Sequence, residues 1–344
     1  MKSSNNSLKV TIIILNWNGW KDTIECLESI YQIDYPNFNI IIIDNLSTDE
    51  SILKIKEYCW GKIELKSDFF EYSKKNKPID IIELSKEEIE HSSYNPEVKS
   101  SKQNRNIILI KNNKNYGFAE GNNIGIKYAL KYLSPNYVLL LNNDTVVDKY
   151  FLNELIKVTD INDKISILGP TIYWYNHKTK IQSAGVKLYP KLGHQKILGL
   201  NKIDKGQFKD VSQVNYVSGC ALLAKSEIFN KIGFLDIDYF LYWEEADWCF
   251  RASNAGYQIF HVPNAKIWHK GSVSSTSSNK IYYVTRNMFW FVKKNVKKTH
   301  YILFLFYFFF LRLWFQMGVY LIYHRTINGT YSFFKGIKNG INNH

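Results

Sequence analysis

Four cysteines in 344 residues, Cys26, Cys59, Cys220 and Cys249, include no C-x-x-C pair. That spacing excludes a zinc-ribbon site and a disulfide framework, and it fits reduced thiols in a cytosolic compartment. No G-x-G-x-x-G or G-K-[ST] run occurs, so dinucleotide-fingerprint and P-loop chemistry are excluded too. The segment Met1–Asn6 is polar and runs into a strand-like stretch without an apolar signal core or small-residue cleavage site, so export is not expected. Acidic residues are in deficit: 31 Asp and Glu against 44 Lys and Arg give a net charge of +13. Such a balance favours polyanionic partners: nucleic acid, an anionic lipid surface or phosphorylated substrates. A nucleic-acid binder would gather its cations on one face with interleaved aromatics. Here the basic residues are dispersed and the aromatics gather in apolar runs, which argues against that partner.

Aromatic residues are abundant: 24 Tyr, 21 Phe and 9 Trp. The length exceeds one average domain, so a large domain with an appendage or a second module is expected. The runs Val10–Leu15 and Asn39–Asp44 flank a segment with helical spacing at Ile24, Leu27, Ile30 and Tyr31, which reads as a βαβ unit. Strands are again expected at Ile107–Ile110 and Tyr137–Leu141, with a helix from about Ala119 to Tyr132 between them. Continuous apolar strands imply a parallel sheet covered on both faces, and ligands bind at the C-terminal ends of such strands. The charged stretch 62–105 reads as a partly mobile surface insertion, in which Ile79–Leu84 can add a strand or hairpin. Past 290, Tyr301–Tyr323 is nearly all apolar but broken by Arg312 and flanked by Lys297, Lys298, His300, His324 and Arg325. An arginine in mid-span is costly, so a helix lying in the membrane surface, with Arg312 raised to the head groups, is favoured over a true span. A buried helix of a soluble oligomer is the bland alternative.

Several clusters carry chemistry. Asn142-Asn143-Asp144-Thr145 follows an apolar strand, where Asp144 is placed to hold a hard divalent cation; the same residues would also serve as an Asx turn. Glu244, Glu245 and Asp247 crowd among aromatics, including Trp243, and precede Arg251. Crowding of this kind raises a carboxyl pKa toward that of a general base. The structural reading is a helix N-terminus with an i,i+4 ion pair to Arg251, and both readings can hold for different members of the trio. Asp44 and Asn45 close a strand and offer hydrogen bonds to a base or ribose, while Ser47–Asp49 reads as a helix cap. The glycines of Asn115–Gly125, Gly121 among them, permit close backbone approach beside Asn122 and Asn123. His269, in a Gly/Ser-rich loop, is a candidate for the metal or a diphosphate, although lone loop histidines usually pack or face solvent.

Taken in order, Thr11–Asn18, Asp44-Asn45-x-Ser47-x-Asp49, Asn115–Asn123, Leu141–Asp144, Trp243–Arg251 and Trp268-His269 resemble the family 2 glycosyltransferases with the GT-A fold, particularly their rhamnosyltransferase-like branch. The likeness runs from about Val10 to Asn287, the insertion excepted. It implies an α/β GT-A domain over 1–290 and a membrane-associating helical region over 291–344. It further implies a nucleoside-diphosphate sugar donor, UDP- or dTDP-linked, and transfer with inversion to a hydroxyl of a glycan or polyprenyl-linked acceptor. Asn16, Asp44, Asn45, Gly121, Asn122, Asn123, Asn142, Asn143, Trp243 and Arg251 are expected around the substrates. Asp144 and His269 are expected on Mg²⁺ or Mn²⁺, and Glu245 as base with Glu244 and Asp247 as alternatives. The family's Asp-x-Asp is reduced here to Asn142-x-Asp144, and its Glu-Asp pair becomes Glu244-Glu245. Tyr242, Trp243 and Trp248 can stack on a sugar or belong to the core. An oligomer, and a peripheral position on the inner membrane face, are compatible with these features. The competing reading is a non-catalytic member that binds sugar-nucleotide or glycan without turnover.

Overall fold

The computed structural model describes residues 7–91, 106–271, 277–319 and 327–342. The chain begins β1 (Val10–Asn16), α1 (Trp20–Ile30), β2 (Phe38–Asp44), α2 (Ser51–Cys59), β3 (Ile81–Ser85), α3 (Lys86–His91), β4 (Ile107–Lys111) and α4 (Gly117–Tyr128). It continues with β5 (Tyr137–Asn142), β6 (Thr145–Val147), α5 (Phe151–Thr159), β7 (Ile165–Trp174), β8 (His177–Ser183), β9 (Val186–Tyr189), β10 (His194–Ile197) and β11 (Ser212–Gln213). The last part comprises β12 (Ala221–Lys225), α6 (Ser226–Ile232), α7 (Glu244–Asn254), β13 (Gln258–His269), α8 (Ser277–Asn295), α9 (Lys298–Tyr307), α10 (Leu313–Gly318) and α11 (Ile327–Asn342).

The main sheet runs β11-β13-β7-β12-β5-β1-β2-β4-β3. Its β5-β1-β2-β4-β3 half is wholly parallel, whereas β12 enters antiparallel between β5 and β7. The β-branched runs explain the parallel half: Ile13, Ile41 and Ile43 enter one core, and Ile12, Ile14, Ile40 and Ile42 the other, so both faces are dry. Each of the four strands expected there forms within a residue of its sequence bounds.

The charged stretch supplies the strand that the Ile79–Leu84 run allowed, β3 at the sheet edge, while most of its other described residues stay at least partly exposed. β3 lies parallel to β4, Ile79 and Leu84 are buried, and Lys77 Nζ meets the fully buried Glu28 at 2.9 Å. Tyr58 also donates to Glu28, at 2.7 Å, and so does the Ser73 N–H, at 3.0 Å. A lysine brought to a buried carboxylate removes an otherwise uncompensated charge, which is why a polar segment can be interior. Residues 92–105 of that stretch lie outside the described residues. Position 290 lies inside α8, whose Met288, Phe289, Phe291 and Val292 share one core with Trp243 and Cys249. α11 packs on α8 through Gly336 and Gly340, where an added Cβ would stand 2.9 Å from the Tyr282 and Arg286 carbonyls.

The helix Lys298–Gly318 is long and apolar enough to cross a membrane. Its Phe304 and Phe308 are buried against Phe289, and Arg312 donates to the carbonyls of Leu192 (3.1 Å) and Gly193 (2.8 Å). Arg312 is thus fastened to the Leu192–Gly193 turn of the main body. Residues 320–326, the end of the apolar stretch, lie outside the described residues.

Candidate active site

Parallel register brings three strand ends level: Asn16 pairs with Asp44, and Leu15 with Asn142. Fully buried Asn16 donates to Asp44 (2.8 Å) and Ser47 Oγ (3.0 Å) and accepts from Thr23 Oγ1 (2.8 Å). Asp44 also accepts from the Ser47 N–H at 3.0 Å, and Asn143 donates to Thr23 Oγ1 at 3.0 Å. These residues form one satisfied polar layer under the strand ends. Asn45 braces the neighbouring loop: its amide donates to Asn115 (3.0 Å) and the Gly117 carbonyl (3.1 Å), and its oxygen accepts from Asn112 (3.0 Å) and the Tyr116 N–H (3.1 Å). Asn123 is tied to Leu235 in both directions, at 2.8 and 3.1 Å, and Asn122 donates to the Phe118 carbonyl at 2.9 Å. A Cβ at Gly121 would meet Leu15 at 2.7 Å. Asn45, Gly121, Asn122 and Asn123, expected at the nucleotide, therefore have their side-chain positions engaged by the scaffold, Gly121 through the close packing of α4 on β1.

Asp144 and His269 lie 125 positions apart in sequence and meet because β13 pairs with β6, His269 opposite Thr145. His269 Nε2 stands 3.1 Å from Asp144 Oδ1, with Asn142 Nδ2 at 3.4 Å. Gln182 Oε1, 2.7 Å from His269 Nδ1, fixes the ring. Burial pushes the Asp144 carboxyl up, but the His269 contact and the Gly271 N–H outweigh it and hold the group below its ordinary value. Two donors bound side by side on an octahedral Mg²⁺-sized ion lie about 3 Å apart, so this carboxylate–imidazole pair fits such an ion. Among the described residues no third His, Cys, Asp or Glu joins them. That suits an ion completed by water and substrate phosphate.

The second centre is the start of α7. Glu244 is buried, and Glu245 is partly buried with its Oε2 enclosed. Burial raises both carboxyls, Glu244 well above the usual range, with the neighbouring Glu245 charge adding to it. Two adjacent carboxyls raised in this way resist carrying two negative charges at once, so the pair favours holding one proton between them. Neither Oε2 has a hydrogen-bond partner among the described residues. The N–H groups of Gly219 and Ala246 steady the Glu245 carboxylate. Gly219 adjoins Cys220, whose carbonyl accepts the Asn142 N–H at 2.9 Å. Two backbone steps thus link the acid pair to the strand end that carries Asp144, and the buried Cys220 thiol, pushed up to about 12 mainly by burial, also feels both the Asp144 and the Glu245 charge.

The remaining candidates in this segment are structural. Asp247 is fully buried and accepts from Arg251 Nε (2.9 Å), Asn295 (2.9 Å), Lys294 (3.2 Å) and Tyr239 OH (3.3 Å). Arg251 also donates to the carbonyls of Ile232 and Phe234. Neither is free for a substrate or a proton transfer. Trp243 is core, donating Nε1 to the Val284 carbonyl (3.1 Å) and packing on Phe291. Trp248 is likewise core, bonded to the Gly233 carbonyl at 2.8 Å and stacked on Phe229.

Phe240, Tyr242 and Trp243 all have positive φ, at 63°, 69° and 78°. Non-glycine residues held in this region cost about 1–3 kcal/mol each and persist only where the surroundings over-determine them. Fully buried Asn287 does so here, donating to the carbonyls of Tyr239 (2.9 Å), Leu241 (2.9 Å) and Tyr242 (2.7 Å). Arg286 adds bonds to the Asp238 (2.9 Å) and Tyr239 (2.8 Å) carbonyls. Asn287→Ala is expected to cost about 1–3 kcal/mol and to lower kcat with little change in donor KM, which thermal melts and steady-state kinetics together would check. Asn287, Arg286 and Gln182 carry no local sequence signal as site residues. Only the fold reveals them.

The family model for glycosyl transferase family 2 matches residues 11–69 and 94–233, more than half of the chain. Over 190 residues the chain is 27% identical to the low-salt glycan biosynthesis hexosyltransferase Agl10 of Haloferax volcanii, covering 53% of this chain and 59% of that protein. It is 26% identical over 202 residues to the dTDP-rhamnosyl transferase RfbF of Shigella flexneri, covering 55% and 64%. To the rhamnosyltransferase WbbL of Escherichia coli it is 28% identical over 156 residues, covering 43% and 58%. The matches thus span about three-fifths of each relative. Among solved structures, S. aureus TarS 1-349 in complex with UDP-GlcNAc aligns over 97% of this chain and 81% of that one, with a TM-score of 0.53 and 15% identity. GalNAc-T7 with UDP, GalNAc and Mn²⁺ aligns over 82% and 48%, with a TM-score of 0.53 and 15% identity. The fold is the GT-A arrangement of these enzymes.

Proposed function

The chain belongs to glycosyl transferase family 2, and from that premise we propose that it is an inverting glycosyltransferase moving one sugar, rhamnose or a hexose, from a UDP- or dTDP-linked donor to a hydroxyl of a lipid-linked glycan at the cytoplasmic membrane face. The observation that carries this reading is the enclosed Glu244–Glu245 pair at the start of α7, linked through Gly219 and Cys220 to the strand end bearing Asp144. The name of one relative, a dTDP-rhamnosyl transferase, supports the donor class, and that of another, a hexosyltransferase, supports the sugar class. In the proposed reaction the Glu245 carboxylate takes the acceptor hydroxyl proton, the freed oxygen attacks the anomeric carbon, and the bond to the nucleoside diphosphate breaks on the opposite face. Burial of the adjacent Glu244 disfavours a second negative charge beside Glu245. Asp144 and His269 would hold Mg²⁺ or Mn²⁺, which when bound neutralises diphosphate charge. Asn142 and Asn143 line the same strand end, and the Asn16–Asp44 layer supports the nucleotide platform.

The test is nucleoside-diphosphate release from a panel of UDP-, dTDP- and GDP-sugars with either cation. Metal-dependent release from one donor, abolished in Asp144→Ala, is the expected result. No release from any donor with membrane extract as acceptor, together with no metal-dependent nucleotide binding, would rule the reading out.

A further inference from the structure

All 31 acidic residues lie at or before Asp247; the 97 residues beyond it hold 13 Lys and Arg and no carboxylate side chain, so the whole net charge of +13 resides there. That cationic segment carries the helix Lys298–Gly318, whose outer side presents Phe306, Phe310 (71% exposed), Leu311, Trp314 (64%) and Phe315 (70%). Beside it stands the β9–β10 hairpin. Its Pro190–Gly193 turn packs on α8 and α9, since a Cβ at Gly193 would meet Met288, Val292 and Phe304 within 3.1 Å, and Arg312 binds the turn's carbonyls. From Val186 to Ile203 this region has four lysines and no acid. Lys187 and Lys196 are directly cross-strand partners, and neither forms an ion pair among the described residues. Like charges set opposite each other destabilise a hairpin, so this placement acts against folding unless an anion relieves it. Tyr189, Leu192 and Ile197 are exposed among these lysines.

We infer that the hairpin and the aromatic helix together form one docking surface for an anionic phospholipid bilayer, with the Lys187–Lys196 pair at the head groups and the Phe310–Phe315 side entering the acyl boundary. A second copy of the chain is a poorer occupant, because two such faces would oppose cation to cation. The inference deepens the proposed lipid-linked acceptor and rests on that reading for its biological purpose. Vesicle binding needs no sugar transfer, so the two stand or fall separately.

The experiment is sedimentation of the full chain with phosphatidylcholine vesicles containing or lacking phosphatidylglycerol, with donor binding measured in parallel. Strong binding is expected only with the anionic lipid. Lys187→Gln with Lys196→Gln should weaken it ~25-fold, at ~5-fold per lysine, and Phe310→Asp with Phe315→Asp more than ~10-fold, both with donor binding intact. Equal binding to neutral vesicles, or no loss in either double variant, would overturn the inference. Lipid-independent dimerisation abolished by the phenylalanine changes, without vesicle binding, would overturn it in favour of self-association.

Discussion

Glu245→Gln should lower kcat by about 10²–10⁴-fold while leaving the melting temperature and donor affinity near those of the wild type. The amide keeps the size and the backbone contacts from Gly219 and Ala246 but cannot take a proton. The same residue sets the pH response. Its carboxyl lies above the ordinary glutamate range because burial outweighs those N–H contacts, and only the ionised form is a base. Rate should therefore fall as pH drops, with the midpoint of kcat/KM above the usual carboxylate value, and this limb should disappear from whatever activity Glu245→Gln retains. An unaltered rate in the variant, or an acid limb that survives it, would remove Glu245 from the reaction.

Asp247→Ala should act differently, by destabilising the fold. Deleting one member of a buried charge network costs about 3–5 kcal/mol, here a melting-temperature loss of order 10 °C. The cost arises because Arg251, Lys294 and Asn295 all lose the acceptor on which they converge. Protein still folded at low temperature should retain measurable turnover. Loss of turnover with an unchanged melt would return Asp247 to the chemistry.

The contrast between Glu245 and Asp247, two residues apart, shows where sequence reasoning succeeds. Apolar runs such as Ile40–Ile43 announce their strands because only a doubly covered parallel sheet accommodates them. The placement of Asp44 and Asp144 at or just beyond strand ends follows from that periodicity. The i,i+4 spacing of Asp247 and Arg251 already suggested an ion pair, and the structure gives that reading to Asp247 while leaving Glu244 and Glu245 to the other. What could not be read was long-range or conformational. His269 reaches Asp144 only through β13–β6 pairing. The left-handed backbone at Phe240, Tyr242 and Trp243 has no glycine to signal it and is imposed from α8 by Asn287. Asn45 and Asn123 look like free ligands in sequence because partners of theirs, the Asn112 and Asn115 side chains and the Tyr116, Gly117 and Leu235 backbone, lie far along the chain.

The family pattern lapses between residues 69 and 94, yet the Glu28–Lys77 contact runs from within that gap into α1. A glutamate at 28 is tolerable only where the lysine is present, since either charge alone would be sealed from water. Across relatives the two should therefore be inherited as a unit, and any lineage that lost the segment should carry an uncharged residue at position 28. A comparison of chains with and without the segment would read an ancestral gain or loss directly from that one helix position.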